Sequence, residues 1–232
     1  MPINHLGQPI GELIADFTVG ELPNIQTLEG QYCRLERLCV SRHFSDIYDF
    51  LGPNSPESQW TYLSIDAQPN EQAARRLLQA CMQFSEAYYL VIIDKAIEKV
   101  VGFLSLSPVN RENRTIRIRI IYSESLKRNS RVATTEAHFL VMQYVFETLH
   151  YRRYEWRCDS LNQPSINAAK RLGFQFEGIL RRAAINKGRN EDTASFSMLE
   201  EEWRAMKPKF KRWLSLDNFD ATGRQLRSLQ DC

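Results

Sequence analysis

Three successive stretches, "YYLVIID" (88–94), "VVGFLSLS" (100–107) and "TIRIRIIY" (115–122), most narrowly limit what this chain can fold into. Each is rich in β-branched and aromatic residues, and short polar turns separate them, which reads as an antiparallel meander. In the third stretch Ile116, Ile118, Ile120 and Tyr122 fall on one face, and Arg117 and Arg119 on the other. That is the period of two expected of a strand with one buried face. A sheet of this kind must cover its apolar faces with helices or a second sheet.

Helical patterns supply the cover. "NEQAARRLLQACMQF" (70–84) places Ala74, Leu77, Leu78 and Cys81 on one side, with Asn70 as its N-cap. "SRHFSDIYDFL" (41–51) reads as a helix capped by Ser41, and "YCRLERL" (32–38) as a strand before it. "EAHFLVMQYVFETLH" (136–150) carries two apolar faces, so it is expected to be buried on both sides. "RRYEWRCD" (152–159) alternates Tyr154, Trp156 and Cys158 onto one face. "NQPSINAAKRLG" (162–173) is a short helix led by Asn162 or Gln163 and stopped by Gly173. "FQFEGILRRAAI" (174–185) and "DTASFSML" (192–199), joined by the turn "NKGRN", form a long hairpin.

The predicted order is β-α-α-β-β-β-α-β-α-β-β. The helix between the fourth strand (115–122) and the fifth (152–159) makes a β-α-β crossover inside a largely antiparallel sheet. The fold class is therefore α+β. Residues 31–203 read as one domain, 1–30 as an arm packed on it, and 204–232 as a tail. Trp213, Leu214, Leu216 and Phe219 imply that the tail docks.

Composition matters chiefly for what it excludes. The 232 residues carry 30 Lys and Arg against 28 Asp and Glu, a formal charge of +2. This does not point to nucleic acid or an anionic membrane as partner. Five cysteines at irregular spacing, with no CxxC pair, and four histidines outside any ligand motif argue against a zinc site or a disulfide framework. A reducing cytoplasm is the expected location. "MPINHLGQPIGELIADF" lacks the basic start and apolar core of a signal peptide, and "YYLVII" is too short to span a bilayer.

The chemistry-bearing motifs lie after the third meander strand. "RNSRVATTEA" (128–137) opens a helix, where backbone N–H groups and the helix dipole favour a phosphate. "YEWRCDSLNQPSINAAKRLGFQFEG" then gives a strand, an N-x-x-S and a helix ending in L-G-F. With the preceding "TEA" helix, this series resembles the GCN5-related N-acetyltransferase (GNAT) family, most closely the Rim-type branch that acetylates ribosomal-protein N-termini. The resemblance covers about residues 31–203.

It implies a mixed, mostly antiparallel sheet splayed between its fourth and fifth strands and flanked by helices. It implies acetyl-CoA as co-substrate, without a metal, and a primary amine as acceptor: a protein N-terminus, or a small molecule such as a polyamine, aminoglycoside or amino acid. A coenzyme-binding module without catalysis is a third reading, and the chain is expected to be a monomer or homodimer. The pantetheine arm would pair with the strand at Ile120, Ile121 and Tyr122. The pyrophosphate would meet Arg128, Asn129, Ser130, Arg131, Val132, Ala133 and Thr134. The family loop has a glycine where Arg131 stands, so Arg131 either turns outward, grips phosphate or fills the site. Asn162 would hold pantetheine or the adjoining backbone, or act as a plain N-cap. Ser165 would stand near the thioester sulfur, since the position that often carries a tyrosine is Ala169. The Rim-type glutamate falls at Ala184, which leaves the base open between Glu155, Glu124 and an ordered water. The hairpin charges Arg181, Arg182, Lys187, Arg189 and Asp192 would border the acceptor.

Overall fold

A computed structural model describes residues 1–14, 17–122, 131–221 and 223–232. The meander forms as its alternation dictates: β3 (Tyr88–Asp94), β4 (Lys99–Asn110) and β5 (Thr115–Tyr122) pair antiparallel in sequence order. Before them come β1 (Thr27–Glu29), β2 (Cys33–Arg37), α1 (Val40–Leu51) and α2 (Glu71–Gln83). After them come α3 (Arg131–Gln143), β6 (Arg153–Asp159), α4 (Gln163–Arg171), β7 (Gln175–Asn186), β8 (Arg189–Leu199) and α5 (Glu200–Leu214). Among the described residues these strands make one eight-stranded sheet, in the order β1-β2-β3-β4-β5-β6-β8-β7. Only the β5–β6 pair is parallel, as a crossover through α3 requires. The expected mixed α+β sheet with helices on its faces is the observed fold.

Alternation sorts the core into two layers. Leu90, Ile92, Leu104, Ile116, Ile118, Tyr154 and Trp156 meet α3, α4 and α5 on one face. Val91, Ile93 and Phe103 meet α1 and α2 on the other. Trp203 of α5 stacks on Phe146 at 5.8 Å and lies 5.8 Å from Phe139 of α3. Ring pairs of this kind each contribute about 0.5–1.5 kcal/mol beyond their buried area.

Local signals behaved unevenly. Asn70 caps α2, its side chain accepting from the Ala73 N–H at 2.9 Å. Ser41 does not cap α1: the helix begins at Val40 after Cys39, whose N–H donates to His43 Nδ1 at 3.1 Å. The His43 side chain thus satisfies the N–H of the N-cap residue itself, as the second half of a capping box does. The helix predicted over 136–150 starts five residues earlier and ends in a π-helical turn, Tyr144–Thr148. Its polar start is accommodated because Thr135 Oγ1 donates to the Arg131 carbonyl at 2.8 Å while Ala133 and Ala137 pack inward. The β7–β8 connection tightens to two residues, Lys187 and Gly188, both with positive φ (50° and 74°). This is the geometry of a type I′ turn, which follows the strand twist.

Residues 20–25 and parts of residues 204–232 contact the sheet and its helices. Ile25 is buried, and its carbonyl accepts from the Tyr88 hydroxyl. The carboxylate of Glu136 in α3 accepts from the N–H groups of Gln31, Tyr32 and Cys33, all at 2.7 Å. Gly30 admits it: a Cβ there would lie 2.5 Å from Glu136 Cδ. In the tail, Phe219 meets Trp213 edge-on at 5.5 Å, and Leu229 is buried. Asn218 ties the tail's two ends, donating to the Trp213 carbonyl and accepting from the Arg227 N–H at 2.9 Å each. Leu216, expected to dock, is exposed.

Candidate functional site

The parallel pair creates an opening in the sheet. β5 and β6 pair from Thr115↔Arg153 to Ile118↔Trp156 and no further. β5 continues to Tyr122 against β4, and β6 continues to Asp159 against β8. The strands therefore diverge into a wedge beyond Ile118. Ile120, Ile121 and Tyr122 stand on one side of it, with backbone groups facing β6 that no strand of the described residues pairs.

On the face toward α3 and α4 the wedge is lined by uncharged hydrogen-bonding groups. Asn162 accepts from the Ser165 N–H at 3.1 Å and so caps α4. This cap sets Ser165 beneath the end of β6, where Trp156 Nε1 donates to its Oγ at 3.0 Å. Ser165 and Trp156 also reach the Cys158 thiol, yet burial dominates and raises the thiol above its ordinary value. Deeper in, the Tyr122 hydroxyl lies 2.6 Å from His138 Nε2, and the His138 ring packs 5.3 Å from that of Trp156. Burial, reinforced by the Arg171 guanidinium, pushes His138 down to about 3. The imidazole is neutral at physiological pH, and its Nδ1 finds no partner among the described residues. Burial also holds the Tyr122 phenol well above its usual range.

The opposite face of the same strands is ionic. Glu155 accepts from Arg117 Nη2 at 3.0 Å and from Arg153 Nε at 3.0 Å, and Arg157 lies 3.5 Å away. Burial opposes its charge, but these guanidiniums hold its carboxyl below the usual range. Arg153 also pairs with Glu177, bringing that carboxylate down to about 2. A carboxylate engaged by three arginines is a counter-ion, which makes Glu155 a poor proton acceptor.

Glu191 was passed over in the sequence because it reads as one more charge in a polar turn. In the β7–β8 ladder it lies directly across from Ala184, so the two side chains share a face. Thr193 Oγ1 donates to it at 3.3 Å, and its charge is felt at Cys158, at the end of β6. The hairpin tip reaches the loop between α1 and α2: Lys187 Nζ donates to the Trp60 carbonyl at 2.8 Å and to Asp66 at 2.5 Å. Beside it, Ile179, Leu180, Arg181, Arg182 and Asp192 border an open cleft of about 670 Å³. Arg189 is exposed at the turn.

The described part of the expected phosphate loop, Arg131 to Thr134, forms the first turn of α3. Arg131 is exposed, Val132 and Thr134 are half-buried, and Ala133 is buried. Glu124, Arg128, Asn129 and Ser130 lie outside the described residues. Among the described residues no group of His, Cys, Asp and Glu is placed to hold a metal ion. No described helix is long and apolar enough to cross a membrane.

Comparison with known proteins agrees with this geometry. Residues 34–175 match the family model of the acetyltransferase (GNAT) domain. The chain is 30% identical over 145 residues to the uncharacterized N-acetyltransferase p20 of Bacillus licheniformis, spanning 61% of this chain and 80% of that protein. A solved GCN5-related N-acetyltransferase from Brucella melitensis superposes with a TM-score of 0.89 at 38% identity, covering 94% of this chain and 98% of that one. A probable GNAT-family acetyltransferase from Chromobacterium violaceum gives 0.77 at 34% identity, over 88% and 99%. With a matching domain model, close relatives and the splayed parallel pair in place, the chain belongs to the GNAT family and is an acyl-CoA-dependent acetyltransferase.

Proposed function

We propose that this enzyme acetylates the α-amine of a polypeptide, taking the acetyl group from acetyl-CoA by direct transfer in a ternary complex. The observation that carries this reading is the parting of β5 and β6 after Ile118 and Trp156. Ser165, held by the Asn162 cap, is the hydroxyl donor of this reading on one face, and Glu191, positioned by the β7–β8 register, is its carboxylate on the other.

Two features support acetyl-CoA as the donor. The β6-facing backbone at Ile120, Ile121 and Tyr122 can pair with an extended amide chain as a strand would. The first turn of α3, Arg131 to Thr134, turns the positive end of the helix dipole toward a pyrophosphate. The exposed side chain of Arg131 leaves that turn open despite the missing glycine. Bound acetyl-CoA supplies a thioester carbonyl open to attack and a thiol as leaving group.

The chain's own residues divide the remaining work. Trp156 Nε1 occupies an acceptor site on Ser165 Oγ, which frees the serine O–H to donate to the departing sulfur. A thiol of pKa ~8.5 leaves more readily as a hydrogen-bonded thiolate. Backbone N–H groups at the end of β5 polarise the carbonyl. On the other face Glu191 accepts the amine proton. An α-amine has pKa ~8, whereas lysine-type amines sit near ~10.4. One half-buried carboxylate therefore suits the α-amine better. The exposed Ile179 and Leu180 beside Arg181 and Arg182 also suit a peptide, in keeping with the Rim-type resemblance. A small amine is the second reading, favoured by the Lys187 bridge that closes one end of the acceptor side.

Calorimetry with acetyl-CoA, followed by a thiol-release assay over peptides, polyamines, aminoglycosides and amino acids, tests both parts. Binding in the micromolar range and turnover of peptide α-amines are expected. Turnover of polyamines alone would sink the acceptor assignment, and no binding at millimolar coenzyme would sink the donor assignment.

A further inference from the structure

The β5–β6 ladder ends at Ile118 and Trp156, so beyond it the spacing of the two strands is set by what packs between them. On the α3 face, side chains from β5, α3, β6 and α4 form a continuous line across the wedge. The Tyr122 hydroxyl, at the end of β5, lies 2.6 Å from His138 Nε2 on α3. The His138 ring packs 5.3 Å from that of Trp156 on β6. Trp156 Nε1 in turn donates to Ser165 Oγ on α4 at 3.0 Å.

The members of this line are held by other contacts as well. Tyr122 stands opposite Gly102 in the β4–β5 ladder. A Cβ on Gly102 would come 2.9 Å from the Ile121 carbonyl oxygen and 3.1 Å from Tyr122 Cδ1, so the tyrosine ring lies directly against the β4 backbone. Trp156 also meets Phe174 edge-on at 5.6 Å. His138 is buried beside Ala137, Phe139 and Val141 of α3, and the Glu136 carboxylate ties the same helix to the segment entering β2.

A phenol and an imidazole are an unusual choice for this layer. Their neighbours Ile118, Ala137, Val141 and Tyr154 belong to the main core, where apolar side chains fill space without the cost of burying polar groups. Burial keeps both rings uncharged, so the contact joins two neutral partners. What a hydrogen bond adds to apolar packing is direction: it fixes distance and angle between the end of β5 and α3.

We propose that His138 is a positioning residue for acyl transfer, spacing the end of β5 from the Trp156–Ser165 pair so that the β5 backbone and the serine hydroxyl act on one thioester. The inference rests on the roles proposed above for Ser165 and the β5 backbone. In this role His138 acts through Tyr122 on one side and Trp156 on the other. A misplacement of about 1 Å can cost about 10²-fold in rate. Loosening the line should therefore slow the chemical step more than it weakens coenzyme binding.

Tyr122→Phe tests this most directly, because it removes the hydroxyl and keeps the ring. Calorimetry with acetyl-CoA gives the coenzyme Kd. Thiol release with the amine that the wild type turns over fastest, among peptides, polyamines, aminoglycosides and amino acids, gives kcat. Tyr122→Phe is expected to lower kcat about tenfold while changing Kd by less than about twofold. His138→Leu should lower kcat at least as much, and His138→Gln, which keeps a hydrogen-bonding group, should recover part of the loss. Adding Tyr122→Phe to His138→Leu should cost little more, since both remove the same link. Denaturant unfolding of each variant verifies that folded protein is assayed. Lower stability with wild-type kcat in Tyr122→Phe would make the line structural only and overturn the proposal. A fall in coenzyme affinity as large as the fall in kcat would overturn it too. Ser165→Ala separates this inference from the reading beneath it. Wild-type kcat in Ser165→Ala would remove the serine's role and this inference with it. A slowed Ser165→Ala beside an unaffected Tyr122→Phe would leave the serine's role standing and overturn this inference alone.

Discussion

The two faces of the β5–β6 pair are made from the same two strands, yet they are chemically opposite. Toward α3 and α4 lie Tyr122, His138, Trp156 and Ser165, uncharged and joined by short hydrogen bonds and ring contacts. Toward the other side lie Arg117, Arg153, Arg157, Glu155 and Glu177, joined by ion pairs. Alternation along a strand separates these populations by a single peptide unit. In the proposed transfer, a thiolate developing on the neutral face would meet donors that need no reorganisation, while the ionic face keeps its charges mutually compensated. Preorganised donors in a dry site act more strongly than the same donors in water.

The contrast can be broken from the neutral side first. His138 is neutral in the folded protein down to about pH 3, whereas in the unfolded chain it titrates near ~6.5. The unfolded state thus binds the extra proton between these values, and stability falls as pH drops through the window. A loss on the order of 4 kcal/mol by pH 3 is expected from this group. Denaturant titrations of wild type and His138→Gln from pH 7 to 4 should show the flatter slope in the variant; parallel slopes would mean that His138 is solvated. Next, Ser165→Ala should lower kcat by about 10²-fold, or ~2.7 kcal/mol, with coenzyme affinity changed far less. Equal losses in the two would reduce Ser165 to a packing role.

The ionic side should respond in stability before activity. Glu155→Gln leaves the half-buried Arg117 without its counter-ion and should cost about 2 kcal/mol in chemical denaturation. If kcat instead collapses with stability intact, Glu155 is the base after all. The smallest expected effect is kinetic. Glu191→Gln should lower kcat/KM about tenfold at pH 7, with the deficit shrinking as pH rises past ~8 and the amine loses its proton unaided. A deficit independent of pH would remove Glu191 from proton transfer.

What the sequence made legible follows the same division. Period-two alternation announced the meander and the buried side of β6, because burial on one face of a strand leaves a simple pattern. The crossover and a helix led by Asn162 or Gln163 were also legible from spacing, and the structure settles the cap on Asn162. Three groups were not. His138 and Glu136 sit at polar positions in an amphipathic helix and are buried by the arm and the sheet, an arrangement no local pattern encodes. Glu191 gains its position from cross-strand register, which the two-residue turn at Lys187 and Gly188 fixes and which a five-residue turn reading left undetermined. β1 was too short, at three residues, to stand out from the arm.

The Glu136 clamp also bears on how the molecule opens. One carboxylate on α3 holds three consecutive amides of the segment entering β2, so that segment cannot leave without uncovering a buried anion. The amides of Gln31, Tyr32 and Cys33 should therefore exchange with solvent in the same cooperative unit as the body of α3, far more slowly than their near-surface location implies. The helix whose first turn is proposed to meet the phosphates is in this way tied to the entry of the chain into the sheet, and the two resist opening together.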